Sequence, residues 1–597
     1  MVEQALAQLQ PCADWQDPLL IIGAGPVGMT AALGLAHYGI PSIVLDDGEG
    51  TALEGSRAIF MERHTLEVLG AWSPVGRQLA EMGMTLTGGR VFFRKTELYK
   101  TLSAPPEPDM PYPRFVNMPQ NVLERLQYDA LQELACCEVR WRHKVSGISQ
   151  DRQGVRVEVT TPDGVIELTA PYVLVADGPR STVRRLLNLN FPGHSRDQHF
   201  LILDVRMQLE TPRERWFWFD PPFNPGRTAL LHPQPESIYR LDYQLPPDED
   251  LTEVMQPASL HQRIIATVGE RPYEIVWKSI YTYQQRVLER FCTERVFFMG
   301  DAAHLMSPFG GRGLNSGVQD VWNLVWKLAL VRAGCAPTTL LNTYHEERYA
   351  AALENIRLTD DTMRFLVPQS GFARWRRDTI LRACLPFKFM RRYVNAGHMS
   401  NPFTYRDSPI ISEDPQLTRA SLSGSMQRVA GRWKAGREKS AEQLARFRLG
   451  PVAGALAPAV PLTDATTNEA ASMLDQFGES FVVLYFCTNM DAGIKALQSI
   501  QGDLPPVPLS CSIVAATPPT VPVPSGMRVL LDVERRAAVA YNAGEQTLYL
   551  VRPDRHIATR RFQSDATELP LLLRHALAET LAINSSAHQS TQTDLVL

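Results

Sequence analysis

Short apolar runs alternate with amphipathic stretches along the first part of the chain. Leu19-Leu20-Ile21-Ile22 is one such run, and Gly23-Ala24-Gly25-Pro26-Val27-Gly28 follows it directly. An apolar tetrad closed by glycine reads as a buried strand, and Met29 to Ala36 reads as a helix packed on it. A second run, Ser42-Ile43-Val44-Leu45, ends at Asp46, completing a βαβ unit. Two further buried strands are predicted. Tyr172-Val173-Leu174-Val175 leads to Asp177-Gly178, and Val296-Phe297-Phe298-Met299 leads to Gly300-Asp301, with a helix from about Gly313 through Trp326. Between Phe200 and Leu245 the chain turns strand-rich and aromatic, with Trp216, Trp218, His232, Tyr239, Arg240 and Tyr243. Alternate residues of a strand share a face, so Tyr239, Leu241 and Tyr243 point one way and Arg240 and Asp242 the other. This block, about residues 198–285, reads as a substrate domain inserted into the nucleotide unit.

The pattern changes after Pro402. Residues 402–415 are polar and proline-bearing, and 424–440 are rich in Gly, Lys and Arg, which places a linker at 416–440. Beyond it, Ser480 to Phe486 and Met527 to Leu531 read as buried strands, with a hairpin around Asn542-Ala543-Gly544. Helices near 492–500 and 568–582 flank them, giving a mixed sheet, and the tail from Asn584 to Gln592 is polar and expected to fray.

The length of 597 residues exceeds one core and suggests several units of about 150 residues. A net charge of −4 gives no global basic field for nucleic acid. The first residues lack the basic-then-apolar order of a signal peptide, and no apolar run approaches the ~20 residues that span a bilayer. A cytoplasmic protein is expected. The eight cysteines form no CxxC and no zinc-type cluster, so no metal is expected and the thiols are read as reduced.

The chemistry sits at the ends of the strands. The turn Gly23, Gly25, Gly28 lets backbone approach a pyrophosphate at a helix N-terminus, and Asp46 suits a ribose hydroxyl. A lone pattern of this kind is weak, and an ordinary packing turn is the alternative. Asp301 adds a carboxylate that can accept polyol hydroxyls. The helix after Gly313 offers the free N–H groups of Leu314 and Asn315 to an anionic ring edge.

In this order and separation, the three motifs resemble the class A flavoprotein aromatic hydroxylases, the group of p-hydroxybenzoate hydroxylase and phenol hydroxylase. "EGSRAIFMERHTLEVLGAW" is similar to the family segment whose arginine, here Arg57, lies beside flavin and diphosphate. "MPQNVLERLQYDAL" is similar to the segment whose glutamine, here Gln120, touches the cofactor. "YLVRPDRHIATRR", residues 549–561, resembles the C-terminal signature of the phenol-hydroxylase branch, which ends in a thioredoxin-like domain without redox cysteines. The resemblance implies an α/β protein. A Rossmann-like FAD-binding domain, 1–415, would carry the inserted β-sheet substrate domain, and a thioredoxin-like α/β domain would follow at 441–597. FAD would be held by Gly23, Gly25, Gly28, Asp46, Arg57, Gln120, Asp177, Gly178, Gly300, Asp301, Gly313, Leu314 and Asn315. Two positions depart from the family pattern: Val175 stands where glycine is frequent, and Arg312 stands where glutamine is frequent.

The resemblance implies that NADH or NADPH reduces FAD and that oxygen forms a flavin hydroperoxide, which hydroxylates a phenol. Pro308 would line the oxygen-reactive face. No second GxGxxG is present for the nicotinamide, so NAD(P)H would meet the flavin transiently. Arg57, Pro308, Tyr239 and Arg240 are the catalytic and substrate candidates. Arg240 would bind a benzoate carboxylate, but Asp242 on the same face could pair with it, which favours a neutral phenol. His304 reads as holding its turn by hydrogen bonds. Three rival readings stand beside this one. A flavin-dependent halogenase is suggested by Trp216-Phe217-Trp218-Phe219-Asp220-Pro221, although Arg215 and Asp220 replace that pattern's glycine and isoleucine. A flavin-bound interaction protein would work through its C-terminal domain. The basic stretch from Arg374 to Arg392, interleaved with Trp375, Phe387 and Phe389, resembles an interfacial helix, with a solvated face or a contact between copies in a possible homodimer as the alternatives.

Overall fold

The computed structural model describes residues 17–51, 58–103, 107, 110–210, 213–307, 309–394, 401–414, 447–498, 500, 504–564 and 568–581. Arg57, Pro308 and the expected linker at 416–440 lie outside these residues.

The chain opens with β1 (Leu19–Ile22), α1 (Pro26–His37) and β2 (Ser42–Leu45). α2 (Gln120–Gln132), β3 (Cys137–Arg140) and β4 (Val173–Val175) come next. They are followed by β5 (Gly193–Met207), β6 (Glu214–Phe219), β7 (Thr228–Pro233), β8 (Ile238–Gln244), α3 (Pro257–Val268) and β9 (Tyr273–Val287). β10 (Val296–Phe298), α4 (Arg312–Arg332), α5 (Thr343–Leu366) and α6 (Gly371–Ala383) complete this part. The described residues fall into two compact units. One holds residues 17–321 and 352–401; the other holds 322–351 and the described residues from Pro402 onward.

In the first unit, β3, β2, β1, β4 and β10 are parallel neighbours in a six-stranded sheet whose far edge is the antiparallel pair Cys292–Thr293. β1, β4 and β10 are buried along their whole length, which is why they read as continuous apolar runs. The C-terminal ends of β1, β4 and β10 therefore lie side by side, carrying Gly23, Asp177 and Gly300-Asp301. The inserted block is an eight-stranded sheet in the order His304–Leu305, β9, β5, β8, β7, β6, Gly88–Phe93, Thr96–Leu102. One face packs against α3: Tyr243, Leu241, Leu203 and Trp218 cluster with Leu260 and Ile264. The opposite face puts Phe200, Phe217, Phe219 and Leu230 against Phe309, Met363 and Leu381.

The second unit carries β11 (Phe481–Phe486), α7 (Met490–Gln498), β12 (Leu509–Ala515), β13 (Met527–Leu531), β14 (Thr547–Val551), β15 (Ile557–Arg561) and α8 (Leu569–Thr580). β13, β12 and β11 are parallel, and β14 and β15 add to β11 as an antiparallel hairpin. Helical residues 322–351 belong here, held by a fully buried ion network. Glu347 takes Lys327 Nζ at 2.8 Å on Oε2, and Arg552 from the C-terminal signature bridges Glu347 and Asp554. Arg552 and Lys327 hold the Glu347 carboxyl far below its ordinary range, against the effect of burial.

Candidate active site

The glycine turn divides its work. Gly23 has φ +103°, and a Cβ there would lie 2.5 Å from the Ala176 carbonyl oxygen. A Cβ at Gly28 would lie 1.9 Å from the Gly23 oxygen. Both glycines let backbone segments of the protein approach each other. Gly25 differs, because a Cβ there meets no protein atom within 4 Å. Gly25 is the N-cap of α1, which has no side-chain cap and no acidic residue in its first turn. Space and uncapped N–H groups coincide there, which is what a diphosphate needs. Asp46 binds the turn from the end of β2: its Oδ2 accepts from Ala24 N at 2.7 Å and its Oδ1 from Gly48 N at 2.8 Å.

Asp177 follows β4. Its Oδ2 accepts from the backbone N–H of Thr182 at 2.7 Å and of Val183 at 3.2 Å, while the buried Oδ1 makes no hydrogen bond. Burial raises this carboxyl above its usual range, against the Ser181 hydroxyl, the two amides and Arg184. An unmatched buried acceptor beside a glycine turn suits a ligand hydroxyl. At the end of β10, Gly300 has φ +56° and donates to Asp320 Oδ2 at 2.9 Å. His304 Nε2 meets the same oxygen at 2.7 Å, so the histidine holds its turn. Asp301 is half-buried, and a Cβ on Gly313 would stand 3.9 Å from its Oδ1. The carboxylate thus lies beside the first turn of α4.

Asn315 pins that helix end. Its Nδ2 donates to the carbonyls of Phe60 (3.0 Å) and Gly311 (2.5 Å), and its Oδ1 accepts from Glu62 N (3.0 Å) and Thr65 Oγ1 (2.6 Å). The side chain is wholly engaged by protein, which leaves only its backbone N–H to offer a ligand. Arg312 is buried and donates to Asn355 Oδ1 at 2.7 Å; burial lowers its pKa, opposed by Glu62 and Glu354. Gln120, at the start of α2, accepts from Ala58 N at 3.2 Å and donates to Glu124 at 2.8 Å, fixing the residue next to Arg57.

On the inserted sheet, Arg240 does not pair with Asp242, its neighbour on the strand face. It forms a bidentate pair with Asp204 across the β5–β8 register, Nε to Oδ1 at 2.8 Å and Nη2 to Oδ2 at 2.7 Å. Its guanidinium also lies 5.5 Å from the Trp277 ring centroid. Asp204 is the one acid in the apolar run Phe200 to Val205, a signal present in the sequence but readable only with the register. Tyr239 packs on the α3 side, and its hydroxyl donates to the Leu209 carbonyl at 3.4 Å.

The opposite face holds Asp242 and His232, 3.7 Å apart (Oδ2 to Nε2) and 19% and 17% exposed. Both are deep in the sheet but within reach of a small molecule. Asp242 Oδ1 makes no hydrogen bond. Burial pushes Asp242 up to about 7, with Asp204 adding to the rise and Arg240 and Arg215 opposing it. His232 is driven down by burial and by Arg215 and Arg240. Arg215 is lowered to about 10 by burial, with Asp242 opposing. On this same face Phe200 meets Phe309, centroids 5.4 Å apart, in the turn that leads into α4.

The model of a FAD binding domain matches residues 17–359. The chain belongs to this FAD-binding family. Its cofactor is FAD, and Gly25, Asp177, Asp301 and the start of α4 fit that group as described. The family member is 28% identical over 565 residues to the 3-(3-hydroxy-phenyl)propionate/3-hydroxycinnamic acid hydroxylase of Comamonas testosteroni, covering 90% of this chain and 93% of the relative. It is 32% identical over 364 residues to the enzyme of the same name from Burkholderia cenocepacia, 60% and 66% of the two chains. In fold it is similar to the flavin-dependent monooxygenase PieE solved with FAD and substrate, with TM-score 0.73, 23% identity, and 94% and 99% coverage. Aklavinone-11 hydroxylase solved with FAD and aklavinone gives TM-score 0.69, 21% identity, and 96% and 100% coverage. This FAD-binding protein is thus a flavin-dependent aromatic monooxygenase, and the halogenase reading gives way. Among the described residues no helix is long and apolar enough to cross a membrane, and no cluster of His, Cys, Asp and Glu could hold a metal ion.

Proposed function

We propose that the protein hydroxylates the ring of a phenolic compound with NADH or NADPH as reductant and molecular oxygen as co-substrate. The phenol would lie between the flavin turn and the polar face of the inserted sheet. Bound FAD supplies the electron carrier and the oxygen-activating ring. The protein's share is binding, orientation and proton handling. The uncapped start of α1 would hold the diphosphate, and by the family resemblance Arg57 would lie beside it. Asp46, Asp177 and Asp301 would take hydroxyls, and by the family resemblance Pro308 would line the ring face. The start of α4, with Gly313, Leu314 and Asn315, presents backbone N–H groups to the ring edge.

The observation that carries the substrate side is the Asp242–His232 pair. A carboxyl held near 7 and reachable from the interior can accept the proton of a phenol close to neutral pH. Arg240 is engaged at Nε and Nη2 by Asp204, which supports a substrate chosen by shape and hydroxyl over one anchored by a carboxylate at Arg240. The Comamonas and Burkholderia relatives are named for carboxylated 3-hydroxyphenyl substrates, which favours a second reading. In that reading Arg215 meets the substrate's acid group.

The C-terminal sheet is read as thioredoxin-like and redox-inert. Support comes from its βαβ unit followed by a hairpin and a helix. Burial also pushes Cys487 up to about 12 and Cys511 to about 11, which makes both thiols poor nucleophiles.

A panel of neutral phenols, hydroxybenzoates and 3-hydroxyphenylpropionate tests the reading. Each compound is scored for stimulated NAD(P)H oxidation and for label from dioxygen in the product. No stimulation by any phenol, or label only in peroxide, refutes it. Turnover of carboxylated rings alone, lost in Arg215→Gln, selects the second reading.

A further inference from the structure

Among the described residues, every Phe, Trp and Tyr that is exposed lies in one segment: Phe372, Trp375, Phe387, Phe389 and Tyr393, 49–70% exposed. Leu385, 50% exposed, lies among them. Phe372 and Trp375 stack with centroids 5.8 Å apart, on α6. Leu385, Phe387, Phe389 and Tyr393 lie on the turn after α6 and on the short 3-10 helix Lys388–Tyr393. The same segment carries Arg374, Arg376, Arg382, Lys388, Arg391 and Arg392, and none of the six forms an ion pair among the described residues. Its one acid, Asp378, is taken by the neighbouring Arg377 at 2.9 Å. In a chain of net charge −4, this surface is a local cation.

The segment is firmly mounted. Leu381, Cys384 and Val394 are buried in the cluster that contains Phe309, Phe217 and Phe219, and Arg377 donates to the Leu366 carbonyl at 3.2 Å. The outward aromatics are therefore displayed from a fixed base. Exposed aromatic side chains gathered in one segment mark a binding face. Its chemistry selects the partner. Aromatic rings mixed with arginine and lysine suit the boundary between lipid headgroups and acyl chains, where rings embed and cations meet anionic phosphates. A second copy is disfavoured, because a two-fold contact would bring this positive patch against itself.

We propose that the face formed by Phe372–Tyr393 docks the enzyme on an anionic lipid surface. The helix lies along the surface, with its buried side still seated on the protein and its aromatics at headgroup level.

Vesicle flotation of the FAD-loaded full chain tests this, with phosphatidylcholine alone and with phosphatidylcholine mixed with phosphatidylglycerol. The wild type should float with the mixed vesicles, weakly with the neutral ones, and less as salt rises. The W375A/F387A/F389A and R374Q/R376Q/K388Q variants should each lose about tenfold or more in vesicle affinity. Both variants should keep the wild-type flavin absorbance and NAD(P)H oxidation in solution. No binding to either vesicle overturns the proposal, as does equal binding to both or variants that float like wild type. A wild-type dimer that the aromatic variant dissociates, seen by sedimentation velocity, makes the face a contact between copies and also overturns it. Capture of a single-stranded oligonucleotide in preference to vesicles, lost in the same variants, does so too.

Discussion

Asp242 offers a quantitative test of how the substrate face is built. Burial raises its carboxyl from 3.8 to about 7, so the native protein holds this proton more tightly than the unfolded chain does. Stability from this group is full below pH 3.8 and is lost as pH rises through about 7. At about 1.4 kcal/mol per pKa unit, the ionisation penalty reaches an upper bound of ~4 kcal/mol at pH 8 and ~1.7 kcal/mol at pH 5. Asp242→Asn keeps the shape and removes the charge. The stability gap of variant over wild type should then widen by ~2 kcal/mol between pH 5 and pH 8. Comparing the two pH values cancels any pH-independent effect of the amide. Urea unfolding of the FAD-loaded protein at both pH values measures the gap, and a gap that stays constant or narrows refutes the burial argument. The same variant should erase an inflection near 7 in the pH profile of kcat/KM, where wild-type activity rises as Asp242 ionises.

Two further substitutions separate cofactor binding from folding. Gly25→Ala should leave apoprotein stability within ~0.5 kcal/mol while FAD retention, read by absorbance after gel filtration, falls sharply. Gly28→Ala forces a Cβ against the Gly23 carbonyl and should lower both the urea midpoint and FAD retention. In the second unit, Glu347→Gln leaves Lys327 and Arg552 buried without their shared anion and should cost ~3–5 kcal/mol in urea unfolding. A loss below ~1 kcal/mol would show that the network contributes little.

The strand ends were the most legible part of the chain. Leu19–Ile22, Val173–Val175 and Val296–Phe298 are apolar throughout because each is buried on both faces, and glycine or aspartate marks the end of each. His304 was readable as a turn-holder, although its partner Asp320 lies 16 positions on, within α4. The inserted sheet was legible as strands but not as pairs. Alternation put Arg240 and Asp242 on one face, and proximity along the strand suggested that they pair. The partner proved to be Asp204, 36 positions away, because opposition across β5 and β8 depends on the register between two strands, which one strand cannot encode. The same blindness hid the Asp242–His232 pair, since His232 stands on β7. The placement of residues 322–351 with the C-terminal sheet was also unreadable, because the Glu347–Arg552 pair spans 205 positions.

That long-range pairing bears on how the protein can be made and dissected. As α4 and α5 leave the ribosome, Lys327 and Glu347 have no Arg552 to meet until some 200 further residues have been synthesised. The unit they belong to consists of two sequence segments, interleaved with those of its neighbour. No single cut in the chain releases either unit whole. Expression of residues 1–415 alone would strip 322–351 of the sheet they pack on and leave Glu347 without Arg552. A stable fragment of the second unit would need 322–351 rejoined to the residues from Pro402 onward.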